Sequence, residues 1–540
     1  MSATSGSSLK GLGVGLNSAV GQVWKVKPHA ELPARAKSSN GSAVEAESLK
    51  VSIAAVASEL DRLGEKAGGT SAEIFEALKF LLEDDELFEV ASGHLDDGWS
   101  AGAAYSMAVD EFAELLGGDP TFAERVADLQ DLSKRVQANL AGIELSLNLP
   151  ETGTIVLVGE DFSPADTAQF TPAVVGVVTT KGGPTSHTSI ICRSRGIPAV
   201  VSCAEAEELK TGDSVLVDPV GDRVVVDGDV SLATKSIEFV AINSEPVIPV
   251  RSNIGTKTDA EAAAKTGADG VGLFRTELLY LNEKTQPSLE QQTAAYSEIL
   301  AAAPTGPIVV RTIDAGSDKP VAFLDMGHEE NPSLGVRGYR LIVEHRSFIE
   351  DQLKSLEEAR KATGREVWVM APMIATVQEA AEFCALARSI GDFKVGIMIE
   401  TPSIAVLASD LKGVVDFVSI GTNDLSQYLF AADRMNPALG TLLTPWQPGL
   451  IRTLARIADA GKAAGFSVGV CGESASDPTF AVVLAGLGIS SVSASPSQVD
   501  VVKTALSSVD LAKAKEIANA VLATTSPDAA KAAALAGLSA

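Results

Sequence analysis

Two groups of residues in this chain have the types and spacing to do chemistry. The first is the segment Lys181-Gly-Gly-Pro-Thr-Ser-His-Thr-Ser-Ile-Ile-Cys-Arg-Ser-Arg195, which follows a short apolar run. Gly182-Gly183 can bring backbone N–H groups close to an anion. Thr185-Ser186 can cap a helix that starts near His187, and a helix N-terminus favours a phosphoryl group placed there. A neutral imidazole is a competent nucleophile toward phosphorus. Read alone, the segment fits a nucleophile and a histidine used for local hydrogen bonds about equally. The second group recurs at the ends of short apolar runs: Arg275, Arg311, Glu400, Asn423-Asp424, Cys471 and Glu473. Two arginines grip phosphate or carboxylate bidentately. Glu400 and Asp424 offer the hard oxygens that suit Mg²⁺. Lys319, Arg337 and Arg434 lie in nearby loops and can add positive charge. The chemistry expected of this set is metal-assisted phosphoryl transfer. A thiol such as Cys471 is largely protonated at neutral pH and can donate a proton, although a lone cysteine at a strand end more often only fills a core.

These residues need a scaffold, and the second group implies one. After Val247 eight short apolar runs alternate with helical stretches: Val247–Val250, Val271–Phe274, Ile308–Val310, Val367–Ala371, Val395–Ile399, Val415–Ile420, Ser467–Val470 and Ile489–Ala494. Eight such units predict a (β/α)₈ barrel, which gathers strand-end residues at one mouth. Upstream, Thr154–Val158, Val174–Val178, Ala199–Val201 and Ser214–Val217 read as strands, and Arg223–Val226 as a hairpin return. Gly11 to Val26 reads as short strands with glycine turns. Between them, from about Ala43 to Leu147, apolar residues recur at helical spacing, as in Ile74-Phe75-x-x-Leu78-x-x-Leu81-Leu82, which predicts a helical bundle. A further helical stretch is expected over Val230–Ile242.

Composition bounds the rest. The chain has 540 residues, 46% hydrophobic and only 5% aromatic, with a net charge of -27. Several domains are expected, with small-residue α/β packing. So acidic a surface disfavours nucleic acid and anionic membranes. The four cysteines form no CxxC pair, which suits a reducing, cytoplasmic setting. The first residues lack an apolar signal region, and no apolar run is long enough to span a bilayer, so no stable membrane insertion is expected.

A series of motifs makes the pattern specific. GGPTSHTSI, GADGVGLFRTE, IVVRTIDAGSDK, ENPSLGVRGYR, MIETPS, SIGTNDLSQY, AADRMNP and VGVCGE occur in this order. Through them nearly the whole chain resembles Enzyme I of the bacterial sugar phosphotransferase system, the phosphoenolpyruvate–protein phosphotransferase. The resemblance implies a swivelling α/β phosphohistidine domain (residues 1–25 plus 145–229) with an inserted all-α subdomain (26–144) that binds the carrier protein HPr. A linker helix or hinge (230–246) and a phosphoenolpyruvate-binding TIM barrel, also the dimerisation domain (247–540), would follow. It further implies that phosphoenolpyruvate and Mg²⁺ bind the barrel, with Arg275, Arg311, Asn423 and Arg434 holding substrate and Arg337 and Lys319 assisting. Glu400 and Asp424 would ligate the metal. His187 would take the phosphoryl group, Cys471 would protonate the enolate to give pyruvate, and HPr would receive the phosphoryl group next, as the first step of sugar uptake.

The sequence also departs from the family. Pro184 stands where arginine is common and Ser317 where glycine is usual. Glu76-Ala-Leu-Lys79 lacks the histidine that relatives often carry. The acidic run Glu83–Glu86 fits a basic partner or a solvated helix face equally. Nucleotide-dependent phosphoenolpyruvate enzymes share these modules but add a sizeable nucleotide domain, for which Met1–Leu147 is too short and too helical.

Overall fold

The computed structural model describes residues 7–15, 17–26, 32–67, 75, 78–116, 123–143, 145, 147–183, 186–234, 237–280, 283–317, 321–324, 326–327, 329–434 and 436–539. The chain divides into two compact units, Met1–Ser236 with Met435–Thr441, and Ile237–Arg434 with Leu442–Ala540.

In the first unit, strands β1 (Ser8–Lys10), β2 (Leu12–Val14), β3 (Ala19–Lys25), β4 (Ile155–Gly159), β5 (Val174–Thr179), β6 (Ala199–Val201), β7 (Ser214–Asp218) and β8 (Arg223–Val226) form one sheet in the order β1-β8-β7-β3-β4-β5-β6-β2. Its centre, β3 to β6, is parallel. A parallel centre is covered on both faces, so its inner strands β4 to β6 read as near-continuous apolar runs. Val156, Val158, Val178 and Val200 pack into one core, and Ile155, Leu157, Val177 and Ala199 into another.

Between β3 and β4 the chain leaves the sheet to make the helices Ser42–Ala67, Asp85–Asp96, Ala101–Leu116 and Ala123–Ala141. Leu49, Leu60, Leu87, Tyr105, Leu132 and Val136 close their shared core. Within the acidic run, Asp84 caps a helix by accepting N–H bonds from Glu86 and Leu87 at 2.9 and 3.2 Å, a local role that needs no partner. Buried Arg135 joins bundle to sheet domain. It holds Asp131 at 2.7 Å and reaches Ser163 and Asp166 at 3.2 and 3.5 Å.

The second unit is a closed barrel of parallel strands: β9 (Val250–Ile254), β10 (Val271–Arg275), β11 (Ile308–Arg311), β12 (Val367–Ala371), β13 (Lys394–Ile399), β14 (Phe417–Ile420), β15 (Ser467–Val470) and β16 (Ser491–Ala494). Outward side chains such as Val250, Val271, Val369 and Ile397 pack under the helices. Leu273, Val309, Trp368, Met370, Met398, Phe417 and Cys471 fill the interior.

Two expectations need correction. The first barrel strand is Val250–Ile254 rather than Val247–Val250. Pro246 and Pro249 lack the N–H that a ladder needs, and Pro249 serves only as acceptor, from Val492 N–H at 3.1 Å. The helix expected within 230–246 is a single 3₁₀ turn, Val230–Leu232, with no regular helix in the described residues that follow up to Val250. That stretch instead satisfies carbonyls at the end of the helix Val499–Ser507. The N–H groups of Ile242 and Asn243 donate to Ser507 O, and that of Val247 to Leu506 O. Helix ends leave such carbonyls without partners, and apolar residues broken by Asn243, Ser244 and Pro246 favour this extended use over a helix.

Candidate active site

The residues singled out in the second half of the sequence gather at the carboxyl ends of the barrel strands. Arg275 ends β10 and Arg311 ends β11. Glu400 directly follows β13, Asn423 and Asp424 open the helix Thr422–Phe430 after β14, and Cys471 directly follows β15. Arg275 is exposed. Most of the others are not: Arg311 is 5% exposed, Arg337 1%, Glu400 1% and Asp424 6%. Ion pairs this deeply buried are not the weak, solvated pairs of a surface.

They form one alternating chain of charge. Arg311 pairs with Glu277 and, at 3.1 Å, with Asp314. Arg337 bridges Asp314 at 2.9 Å and Asp424 at 3.2 Å. Arg434, half-buried, reaches the other oxygen of Asp424 at 3.4 Å. Glu400 lies 4.0 Å from Arg311 and accepts the Met373 N–H at 2.9 Å. Asn423 accepts the Glu473 N–H at 3.2 Å, tying the loops after β14 and β15 together. Lys319 lies outside the described residues.

Behind this chain sits a buried polar support. The Gln352 amide accepts the Ile313 N–H at 3.0 Å and donates to the hydroxyls of Thr276 and Tyr296 at 3.0 and 2.9 Å. Thr276 donates in turn to Arg311 O at 2.9 Å. The segment that carries Arg311 and Asp314 is thus held from two sides. The sequence reading left out Glu277, Asp314 and Gln352. The first two were visible as acids close to strand-end arginines, within motifs already marked. Gln352 gave no local signal, because it acts from a helix far along the chain.

Burial sets the electrostatics. Desolvation disfavours the Arg311 charge, but Glu277, Asp314, Glu400 and Asp424 outweigh it and hold its pKa above the ordinary value. Desolvation, then Asp424 and Asp314, pushes Glu400 up to about 7, against the pull of Arg311 and Arg337. Burial also pushes the Cys471 thiol up to about 11, so it carries its proton at neutral pH.

Among the described residues no cluster of three or more His, Cys, Asp or Glu has the arrangement of a metal site. Magnesium does not require one, since it is commonly held by one or two carboxylates plus substrate phosphate and water. Glu400 and Asp424 supply two buried carboxylates at neighbouring strand ends. Gly421 keeps room beside Glu400: a Cβ there would meet Glu400 Oε1 at 2.8 Å. A cation would also relieve the crowding of like charge that raises Glu400. The donor set fits.

The histidine segment is built by other means. His187 opens the helix His187–Arg195, capped by Ser186 and ended at Gly196 with φ of 68°. Gly182, at φ +80°, turns the loop before it, and Ser202 donates to Gly182 O. Ser189 donates to Gly183 O at 2.6 Å, and Thr188 to Asp161 at 2.5 Å. The His187 side chain, Pro184 and Thr185 lie outside what the structure describes.

The chain matches three models of one enzyme group: the N-terminal domain of PEP-utilising enzymes over residues 10–125, their mobile domain over 151–229 and their PEP-binding domain over 234–511. It is 38% identical to the phosphoenolpyruvate-protein phosphotransferase of Streptomyces coelicolor, over 98% of this chain and 99% of that protein. It is 37% identical to the enzyme of the same name from Haloferax volcanii, over 95% and 96% of the two chains. For the one from Bacillus subtilis the identity is 32%, over 95% and 96%. With the barrel, the α/β domain and the helical region all matched, this chain belongs to the phosphoenolpyruvate-protein phosphotransferases, the Enzyme I family.

Proposed function

We propose that the protein moves the phosphoryl group of phosphoenolpyruvate to its own His187 and then to a histidine of the carrier protein HPr, opening sugar uptake by a phosphotransferase system. The observation that carries this reading is the buried charge chain at the barrel mouth, joined in one sequence with the GGPTSHTSI segment. In this reading residues 1–25 and 145–229 form the phosphohistidine domain, 26–144 the carrier-binding subdomain and 247–540 the substrate-binding and dimerising barrel. The protein works in the cytoplasm.

Each residue then has a task. Arg275, Arg311 and Arg434 bind the phosphate and carboxylate of the substrate, and Asn423 orients it. Arg337 fixes Asp424 and Asp314, and Lys319 adds positive charge. Glu400 and Asp424 hold Mg²⁺, which when bound neutralises charge on the phosphoryl oxygens. As the phosphorus–oxygen bond breaks, the arginines stabilise the charge left on the enolate. His187 attacks phosphorus in line, and Cys471 delivers its proton to the enolate carbon. In-line attack needs the reacting atoms within roughly 3–3.5 Å, so the unit bearing His187 must swing between barrel and carrier.

The test is to load the protein with labelled phosphoenolpyruvate and Mg²⁺, remove excess substrate, and add HPr. Label that passes to HPr is expected. Label that stays on the protein with HPr but leaves it with ADP contradicts this reading and favours a nucleotide-dependent relative.

A further inference from the structure

A buried thiol that gives up its proton must regain one in every cycle. The surroundings of Cys471 indicate from where. Its Sγ is 3% exposed as part of the residue and donates weakly to Ile420 O at 3.7 Å. It accepts from the Ser419 hydroxyl on the neighbouring strand β14 at 3.1 Å. Ser419 is itself buried, inside the barrel and beneath the mouth.

Ser419 also lines a small, partly open cavity of about 20 Å³ in the barrel's lower half, together with Ser467, Gly469, Ser491, Ser493 and Arg251. Small residues create this space. A Cβ at Gly469 would meet Ser491 Oγ at 3.1 Å and come within 3.9 Å of Ser419 Oγ. The lining is mixed: Val309, Trp368 and Phe417 face the serine hydroxyls across it, and the buried Arg251 Nε has no hydrogen-bond partner among the described residues. A void of this size has room for one water molecule, and the serine hydroxyls and Arg251 Nε supply the polar partners it needs.

We propose that Ser419 is the relay through which Cys471 is reprotonated, drawing on water held in the lower barrel rather than on solvent from the substrate side. The proposal rests on the reading of Cys471 as the proton donor. When the Cys471 S–H bond breaks, the proton forms the C3–H bond of pyruvate and a thiolate remains. The Ser419 hydroxyl proton passes to Sγ while the Ser419 oxygen takes a proton from the cavity water. That water is restored from solvent, so one solvent proton is consumed per pyruvate released. Ser419 acts through Cys471 and does not touch substrate.

A thiol carries a single proton. Without exchange it therefore hands back the same nucleus it took, and this gives the test. The full-length phosphorylated protein is equilibrated with methyl-deuterated pyruvate and Mg²⁺ in ordinary water. Loss of deuterium to solvent is measured against carbon-label exchange between pyruvate and phosphoenolpyruvate. In the wild type each carbon exchange is expected to release deuterium. In Ser419→Ala the ratio of deuterium loss to carbon exchange should fall several-fold, because the deuteron returns from Cys471. Gly469→Ala, which fills the cavity without touching the thiol, should lower the ratio as well, and Ser419→Thr should restore it. An unchanged ratio in Ser419→Ala overturns the relay while leaving Cys471 as donor. Deuterium loss that survives in Cys471→Ala overturns the donor assignment, and the relay with it.

Discussion

In the proposed cycle the barrel mouth and the histidine helix handle the same anion, and they are built by opposite means. At the mouth, alternating charges from Glu277 to Arg434 are buried and locked to one another. Around His187 the described contacts come mainly from glycine, hydroxyl and backbone groups (Gly182, Ser186, Thr188, Ser189 and Ser202), with one carboxylate, Asp161, accepting from Thr188. The family's common arginine is replaced there by Pro184. The difference suits two tasks. A site that must cleave a phosphorus–oxygen bond needs fixed positive charge where negative charge develops. A site that must pass the phosphoryl group on gains nothing by gripping it as tightly.

Removing one charge at the mouth should therefore have the largest effect. Arg311→Met is expected to lower kcat/KM for phosphoenolpyruvate on the order of 10²–10³-fold. It should also destabilise the barrel by about 3 kcal/mol, because Glu277 and Asp314 lose a buried partner. Steady-state kinetics and urea unfolding check both, and Arg311→Lys should rescue little, since an ammonium cannot replace the planar fork. Next, Cys471→Ala should slow pyruvate formation far more than transfer from phosphorylated His187 to HPr. Equal losses in the two half-reactions, followed by rapid quench, would remove Cys471 from the proton step.

The third expectation concerns pH. Glu400 titrates near 7 in the folded protein, against an ordinary value of 4.5. A carboxyl raised on folding favours the folded state while protonated. Its contribution is full below about pH 4.5 and is lost as pH rises toward 7. Thermal melts without Mg²⁺ should show this loss, and Glu400→Gln should flatten it. In the wild type added Mg²⁺ should stabilise more at pH 8 than at pH 5, because only the carboxylate binds it. The smallest effect is expected at the histidine loop. Pro184→Arg should change the rate of transfer to HPr only a few-fold, measured by the decay of labelled protein. A change of two orders of magnitude would mean that charge governs both sites alike.

Much of this was legible in the sequence. The barrel strands announced themselves as short β-branched runs at regular spacing, and their ends carried Arg275, Arg311, Glu400 and Cys471. Less legible was whatever depends on distant contacts. Gln352 reaches Ile313 from a helix thirty-nine positions later. Ser419 sits in an apolar run, where a serine reads as a small core residue until Cys471 is seen beside it. The stretch after Leu232 has enough apolar residues to suggest a helix, yet its N–H groups are used by the end of another helix. Local pattern reports which face is buried; it does not report which distant backbone group needs a partner.

The central claim is that His187 carries the phosphoryl group between two sites. The most direct measurement is to incubate the purified protein with labelled phosphoenolpyruvate and Mg²⁺ and map the label by peptide sequencing. The account predicts acid-labile label on the peptide containing His187, with one pyruvate released per label, and none in His187→Ala. Label on another residue, or undiminished label in His187→Ala, would contradict it.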